Sequence, residues 1–169
     1  MGKPCWGRHY DSQTGLHLNF GNPQLKIREP YKSNSKNVVL RENASYRSIT
    51  VEGTSWLWIF CSFWKLTLKD ALTVRSSASY RKILIATAKL DGQKLLDVKV
   101  HPGTGLTIFK FDIGAVLECR RFDKQSSEPL WLLGKSDGQT LSVTGDGYNI
   151  FQKGSKPGGK RIRIPKYEL

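Results

Sequence analysis

The sequence contains few of the residues on which most metal sites and disulfide frameworks depend. Its 169 residues include three histidines and three cysteines. The cysteines, Cys5, Cys61 and Cys119, are odd in number, which argues against a disulfide framework. Cys5 and His9 are four residues apart, but a structural zinc site needs about two further nitrogen or sulfur ligands. We therefore predict no metal site.

Long apolar runs are also missing. No run approaches the roughly 20 residues that span a bilayer, and the first residues, MGKPCWGRHY, contain no hydrophobic signal-peptide segment. Gly2 is followed by Trp6 at the position where an N-myristoylation signal has serine or threonine. We therefore expect no membrane span and a cytoplasmic location, in which the cysteines stay reduced.

Recognisable catalytic and phosphate-binding motifs are missing as well. The glycine-rich stretch 154–160 lacks the GxxxxGK[ST] spacing, and no strand precedes a GxGxxG turn. Neither GxSxG nor a histidine-rich cluster is present. Asp112, Asp137 and Asp146 lie at predicted turns, where carboxylates bond to nearby backbone. We predict a protein that is not an enzyme and has no cofactor, with a site assembled from distant residues as the alternative.

Acidic residues are scarce relative to basic ones. The 27 lysines and arginines exceed the 14 aspartates and glutamates, which gives a formal net charge of +13 and a pI of about 9.8. Such a charge attracts polyanions, including nucleic acid, an anionic membrane surface and acidic proteins. The alternative is a uniformly basic surface without a dedicated partner.

Alternating apolar and aromatic residues predict strands. Residues 105–122, GLTIFKFDIGAVLECRRF, predict a β-hairpin with one apolar face and a turn at Gly114. Residues 55–68, SWLWIFCSFWKLTL, are apolar at both parities. This pattern indicates either one strand buried on both sides or two strands separated by a bend at Cys61 and Ser62.

Turn residues divide the rest of the chain into short segments. We predict an irregular segment over 1–15, a hairpin over 16–28 that turns at 21–23, and a polar loop over 31–44 around a short piece at 38–40. Strands over 95–100, 130–133, 140–143 and 148–151 predict a meander in the second half. Residues 161–164 fit either an edge strand or a free basic tail.

One helix is predicted, over residues 76–90. Ser76 or Ser77 is suited to cap its N-terminus, and Gly92 is suited to the left-handed position that follows a helix. Residues 83–85 alone are also compatible with a strand. The apolar stripe at helical spacing consists of Tyr80, Ile83, Leu84, Thr87 and Leu90.

Together these patterns predict a β-dominated α+β protein with two antiparallel hairpin or meander sheet units joined by one helix at about 76–90. The first β unit covers residues 1–70, a connecting segment 71–93, the second β unit 94–152 and a basic tail 153–169. The alternative is one compact domain.

Several turn and core residues between Ser79 and Phe151 occur in a recognisable order. They are Leu90 to Gln93, Phe109 to Asp112 with Gly114 and Leu117, Trp131 with Leu133, and Leu141 with Asp146 and Gly147. In this order they resemble a type of small bacterial β domain of unknown function, and some β domains of similar appearance are immunity proteins. The resemblance implies a β fold and no catalytic residues. It also implies an alternative function, as an immunity or inhibitor protein against a toxin encoded nearby.

The basic residues suggest a binding function. We predict a non-catalytic binding module whose basic surface meets an acidic protein or nucleic acid. Single-stranded nucleic acid also requires exposed aromatic rings for base stacking, for which the candidates are Phe122, Tyr31, Tyr46 and Tyr148. A further basic group is Lys32, Lys36 and Arg41 with Arg47. The main candidate polyanion-binding residues are Lys110, Arg120, Arg121, Lys153, Lys156, Lys160, Arg161, Arg163 and Lys166.

Overall fold

The structure, a computed structural model, describes residues 2–12, 15–60, 62–101, 104–122 and 128–144, and the backbone of 149–153 and 162–164. In chain order the elements are β1 (Cys5–Asp11), β2 (Gly15–Arg28), α1 (Val38–Ser45), β3 (Ser48–Ile59), β4 (Ser62–Thr67), β5 (Thr73–Arg75), α2 (Tyr80–Ala88), β6 (Leu95–Val100), β7 (Thr107–Phe111), β8 (Val116–Arg121), β9 (Pro129–Lys135), β10 (Gln139–Thr144), β11 (Asn149–Lys153) and β12 (Ile162–Ile164).

The strands form two antiparallel sheets, and the predicted β-dominated α+β class is confirmed. The seven-stranded sheet has the order β1-β2-β3-β9-β10-β11-β12, and the five-stranded sheet has the order β5-β4-β8-β7-β6. Each sheet contains strands from both halves of the chain, because β3 pairs with β9 and β4 pairs with β8. The division between the sheets therefore does not follow the predicted units 1–70 and 94–152.

The chain crosses from one sheet to the other between β3 and β4. This is the second of the two predicted alternatives for residues 55–68, namely two strands separated by a bend. Leu57 and Ile59 of β3 and Trp64 and Leu66 of β4 are all buried. These side chains therefore contribute to one core from two different sheets.

The core lies between the inner faces of the two sheets. The rings of Phe109 and Trp131 meet edge to face with centroids 5.3 Å apart. The indole Nε1 of Trp131 donates a hydrogen bond of 2.8 Å to Thr107 Oγ1. Because a buried donor without a partner costs about 1–3 kcal/mol, this bond fixes how the sheets pack.

The predicted hairpin over 105–122 is confirmed as β7 and β8. Thr107, Phe109, Leu117 and Cys119 are all buried on its inner face. Gly114 adopts φ of +92° in the turn, a conformation that is unfavourable for residues with a Cβ.

The predicted hairpin over 16–28 is wrong, because β2 is one continuous strand. Gly21 and Pro23 lie at a β-bulge where the pairing with β3 shifts register, and Gly21 has φ of +78°. A Cβ at Gly53, which pairs with Pro23, would overlap the backbone of Phe20. The glycines therefore allow a bend within the strand instead of a turn. The segment 1–15, predicted as irregular, contains strand β1, which pairs with β2.

Residues 23–28 of β2 pair with residues 48–53 of β3 and form a two-stranded arm. The arm carries α1. Residues 38–44, predicted as part of a loop, are helical, and Asn37 Oδ1 caps this helix by accepting a 3.3 Å hydrogen bond from the Leu40 amide. Arg28 Nη2 holds the helix by donating to Asn43 O at 2.7 Å. Tyr31 and Tyr46, two of the aromatic candidates, are exposed here.

The predicted helix over 76–90 is confirmed as α2, which is shorter at both ends, from Tyr80 to Ala88. Its N-cap is Ser79, without a side-chain cap bond, and Ser76 Oγ instead accepts a 3.3 Å hydrogen bond from the Trp64 amide. Ile83 and Leu90 of the predicted stripe are buried, whereas Tyr80 is 57% exposed. Neither helix in the described part of the chain has the length and apolar character needed to cross a membrane.

The predicted strands of the second half are present, but they form two meanders in different sheets, β6 to β8 in the five-stranded sheet and β9 to β11 in the seven-stranded sheet. Strand β6 has the predicted bounds, and β9, β10 and β11 pair in sequence. Residues 162–164 form the edge strand β12, which pairs with β11. This is one of the two predicted alternatives for the tail.

Candidate functional site

The outer face of the five-stranded sheet collects basic side chains from all five strands. Strand alternation turns Phe109 and Leu117 inward, and their neighbours in sequence therefore face outward. Arg75 pairs with Lys65, Lys65 pairs with Glu118, and Lys110 pairs with Val116 across the strands. We call this surface the cationic face, and its basic residues are Lys65, Arg75, Lys99, Lys110 and Arg120.

Only part of this positive charge is neutralised. Lys65 Nζ lies 2.7 Å from Glu118 Oε1, and Lys99 Nζ lies 3.9 Å from Asp97 Oδ2. Among the described residues, no carboxylate lies within ion-pair distance of Arg75, Lys110 or Arg120. Asp97 lies opposite Lys110 on β6, but its ion pair is with Lys99. Three cations of one sheet face therefore have no ion pair within the described part of the chain and are available to an external anion.

An aromatic pair lies beside these cations. The rings of Phe63 and Phe122 have centroids 4.0 Å apart and are tilted by 39°. The guanidinium of Arg120 lies 5.4 Å from the centre of the Phe63 ring, a cation–π arrangement that limits where this cation points. Phe122, a candidate for base stacking, is 60% exposed.

A cavity of about 350 Å³ opens at the same end of the sheet. The ends of β4, β5 and β8 that meet there supply Phe63, Arg75 and Arg120 to its wall, and Ser77 contributes from the segment before α2. Glu118 also lines it and is held by Lys65. The cavity is large enough for a phosphate group bordered by two arginines.

The other predicted polyanion-binding residues do not join this surface. Arg121 pairs with the inward-facing Ser62 and thus points to the opposite side of β8 from Arg120. Lys153 and Arg163 lie on β11 and β12 of the other sheet. Outside the described residues lie Lys156, Lys160, Arg161 and Lys166, together with the aromatic candidate Tyr148.

The basic group of residues 32–47 lies on the arm. The guanidinium of Arg47 is bound to the Glu29 carboxylate at 2.7 Å. Arg41 Nη1 donates to the carbonyl oxygens of Ser35 and Lys36 at 2.9 and 3.1 Å. These two arginines are thus engaged in the structure of the arm itself.

The outer face of the seven-stranded sheet carries an aromatic surface that the sequence analysis missed. Trp56 and Trp58 are half-buried, whereas Leu57 between them is fully buried. The rings of His17 and Trp56 are inclined by 26° with centroids 5.9 Å apart, and those of Trp58 and Phe60 by 22° at 4.8 Å. We call His17, Trp56, Trp58 and Phe60 the aromatic face. In the sequence, Trp56 and Trp58 alternate with Leu57, and this alternation could have indicated that the two tryptophans share one face of the strand.

The aromatic face has balanced charge. A cavity of about 370 Å³ is lined by both tryptophans, His17 and the pair Lys26 and Glu52. Lys26 Nζ lies 3.0 and 3.1 Å from the two carboxylate oxygens of Glu52. Burial lowers the pKa of His17 below 6.5, partly opposed by Glu52, so its imidazole is neutral at pH 7. This surface offers aromatic area without net positive charge.

The described cysteines are core residues without nucleophilic character. Burial raises the pKa of Cys5 and of Cys119 to about 12 in each case, so neither forms a thiolate at neutral pH. Cys119 was predicted as a core residue, and it is fully buried. Cys61 lies outside the described residues. In the described ranges, no three histidine, cysteine or acidic side chains are grouped so that they could hold a metal ion.

Comparison with known proteins returned no matching family model, curated protein or solved structure.

Proposed function

We propose that this protein binds single-stranded nucleic acid through the cationic face, without catalysis. The observation that carries the proposal is the set of three cations without carboxylate partners, Arg75, Lys110 and Arg120, on the same sheet face as the exposed ring of Phe122. The net charge of +13 supports the same class of partner.

The two kinds of side chain have separate roles in this proposal. Lysine and arginine bind phosphates and release condensed counterions, which makes affinity depend on salt concentration. An aromatic ring stacks on a base, and each such contact contributes about 1–3 kcal/mol. Bases are accessible for stacking only where they are unpaired, so the ring of Phe122 favours a single strand over a duplex.

The spacing of the cations suits an extended ligand. Lys110 lies opposite Val116, and Arg120 follows four residues further along β8. At about 3.3 Å per residue, these cations are separated by roughly 13 Å along the strand direction. A single strand that follows β8 contacts both cations, and it reaches Phe122 where it continues two residues beyond Arg120.

Fluorescence anisotropy with a labelled oligothymidylate tests the proposal. We expect the triple variant Arg75→Ala, Lys110→Ala, Arg120→Ala to bind more weakly than the parent protein. A plot of log K against log salt concentration, from about 50 to about 200 mM, should lose about 2 from its slope, since each single-strand phosphate contact contributes about 0.7.

The matched control removes three basic residues elsewhere. Lys32, Lys36 and Lys94 are exposed and have no ion-pair partner among the described residues. Their replacement by alanine changes the net charge by the same amount, and we expect a smaller loss of affinity. Equal losses for the two triple variants would show attraction by net charge alone. No binding at about 50 mM salt would exclude nucleic acid and leave an acidic protein as the partner to test with polyglutamate.

A further inference from the structure

A cavity with a volume of about 600 Å³ lies between the two sheets. This volume is within the range of roughly 300–1,000 Å³ found for small-molecule pockets. Phe20, Leu133 and Leu141 line it from the seven-stranded sheet, and Leu95 lines it from the five-stranded sheet. It lies apart from the cationic face, with which it shares no lining residue.

The floor of this cavity is apolar. Leu133 and Leu141 line it, and they are aligned with Leu57 of β3 on the inner face of the sheet. Leu57 is fully buried, but Leu133 and Leu141 are only partly buried although they face the core. Their remaining exposed surface is the surface that an apolar ligand would cover.

The rim of the cavity is polar and basic. Two residues further along the strands, the inward positions hold Ser55 on β3 and Lys135 on β9, which pair directly. Lys3 lies on the same rim, and its Nζ donates a 2.9 Å hydrogen bond to Thr54 Oγ1. Along β9, the inward-facing residue thus changes from Leu133 to Lys135 at the next inward position.

The rim contains one carboxylate, which is already engaged. Asp137 lies in the turn between β9 and β10, and its Oδ1 accepts a 2.9 Å hydrogen bond from the amide of Gln139. Lys3 and Lys135 have no ion-pair partner among the described residues. Two lysines therefore share the rim with one carboxylate, and the rim keeps a net positive charge.

We propose that this cavity binds an amphipathic carboxylic acid. Its apolar tail packs on Leu133, Leu141 and Leu95, and its carboxylate is bound by Lys3 and Lys135 at the rim. A neutral molecule of the same size fills the floor but leaves both lysines without an anion. The discriminating property is therefore the charge of the head group.

A displacement titration tests this proposal. A dansyl-labelled fatty acid should bind saturably, and decanoate should displace it about tenfold more effectively than decanol, since a hydrogen bond to a charged group contributes more than 1 kcal/mol. Lys135→Met and Lys3→Met should each reduce this preference, whereas Lys36→Met, which replaces an exposed lysine of the arm, should not. Leu141→Trp should abolish binding because the indole fills the floor.

Any one of three results would overturn the proposal. The first is the absence of saturable binding, and the second is equal displacement by decanol and decanoate in the parent protein. The third is unchanged binding in the Leu141→Trp variant. The triple variant of the cationic face should bind the labelled fatty acid like the parent protein. If it does not, the fatty acid occupies the cationic face and the cavity proposal is wrong.

Discussion

The two outer faces of the molecule differ in how their charges are used. On the aromatic face, Lys26 and Glu52 neutralise each other, and the accessible surface consists mainly of indole, phenyl and neutral imidazole rings. On the cationic face, Arg75, Lys110 and Arg120 have no such partner among the described residues, and the aromatic surface is limited to Phe63 and Phe122.

The difference shows why net charge alone does not identify a binding surface. The charge of +13 belongs to the whole chain, but part of it is neutralised by ion pairs, with Lys26 bound to Glu52 beside the aromatic face and Arg47 bound to Glu29 on the arm. What distinguishes the cationic face is the pairing of strands that brings unpaired cations from β5, β7 and β8 together. Four changes, from the largest expected effect to the smallest, test this contrast.

The aromatic face depends on close contact between a ring and the backbone. A Cβ at Gly134 would overlap the indole of Trp56, which lies across this glycine. We expect Gly134→Ala to lower the free energy of unfolding by about 1–3 kcal/mol, measured by urea denaturation. The cost should decrease in a Trp56→Leu background, because the overlap is then relieved. On the cationic face, Val116→Ile should change stability by about 0.5 kcal/mol or less. If Gly134→Ala and Val116→Ile lowered the free energy of unfolding equally, the proposed contrast between the two faces would be wrong.

Removal of one ring from each face tests which face stacks on bases. We expect Phe122→Ala to reduce oligothymidylate affinity about tenfold, since one stacking contact contributes about 1–3 kcal/mol. Phe60→Ala, the matched variant on the aromatic face, should leave affinity unchanged. The measurement is anisotropy at fixed salt, with circular dichroism as a check of folding. The reverse order of effects would transfer the proposed interface to the aromatic face.

Removal of one carboxylate from each face tests the role of ion pairing. Glu118→Gln frees Lys65 on the cationic face, so we expect affinity for the oligonucleotide to rise a few-fold and the salt slope to steepen by about 0.7. Glu52→Gln frees Lys26 beside the aromatic face and makes the same change in net charge. If both variants gain equally, total charge rather than its position determines binding.

The neutral histidine of the aromatic face predicts a small pH dependence. Burial lowers the pKa of His17 below its ordinary value of 6.5, so below about pH 6.5 the unfolded chain binds more protons at this residue than the folded chain. The free energy of unfolding should therefore fall as pH decreases through this range. His17→Gln should reduce this dependence, and an unchanged profile in urea denaturation between pH 7.5 and 5.5 would show that His17 does not contribute.

Local patterns were sufficient to predict several strands that pair with their sequence neighbours, although β1, which pairs with β2, was missed. The hairpin at Gly114, strand β6 and the meander of β9, β10 and β11 all follow from alternation and turn residues. The stretch at Gly21 was misread because glycine and proline favour turns and bulges alike. The bulge is selected by the close contact of Gly53 with the backbone of Phe20. These two residues are 33 positions apart in the sequence, so a local pattern does not reveal the contact.

The candidate sites depend on pairings that sequence alone did not reveal. Lys110 and Arg120 were predicted from charge, but the addition of Arg75 requires the pairing of β4 with both β5 and β8. Alternation in β3 separates Trp56 from Leu57, but it does not indicate which side of the sheet is covered. The cavity between the sheets likewise requires β3 to pair with β9 and Leu95 to face them from the other sheet.

The most direct test of the central claim is to locate the bound nucleic acid by NMR. Amide chemical shifts are recorded while oligothymidylate is added to the isotope-labelled protein at low salt. The account predicts that the largest shifts occur at residues 63–65 and 118–122 of the cationic face, and that residues 56–60 of the aromatic face change little. Shifts concentrated at residues 56–60, or spread evenly over both faces, would contradict it.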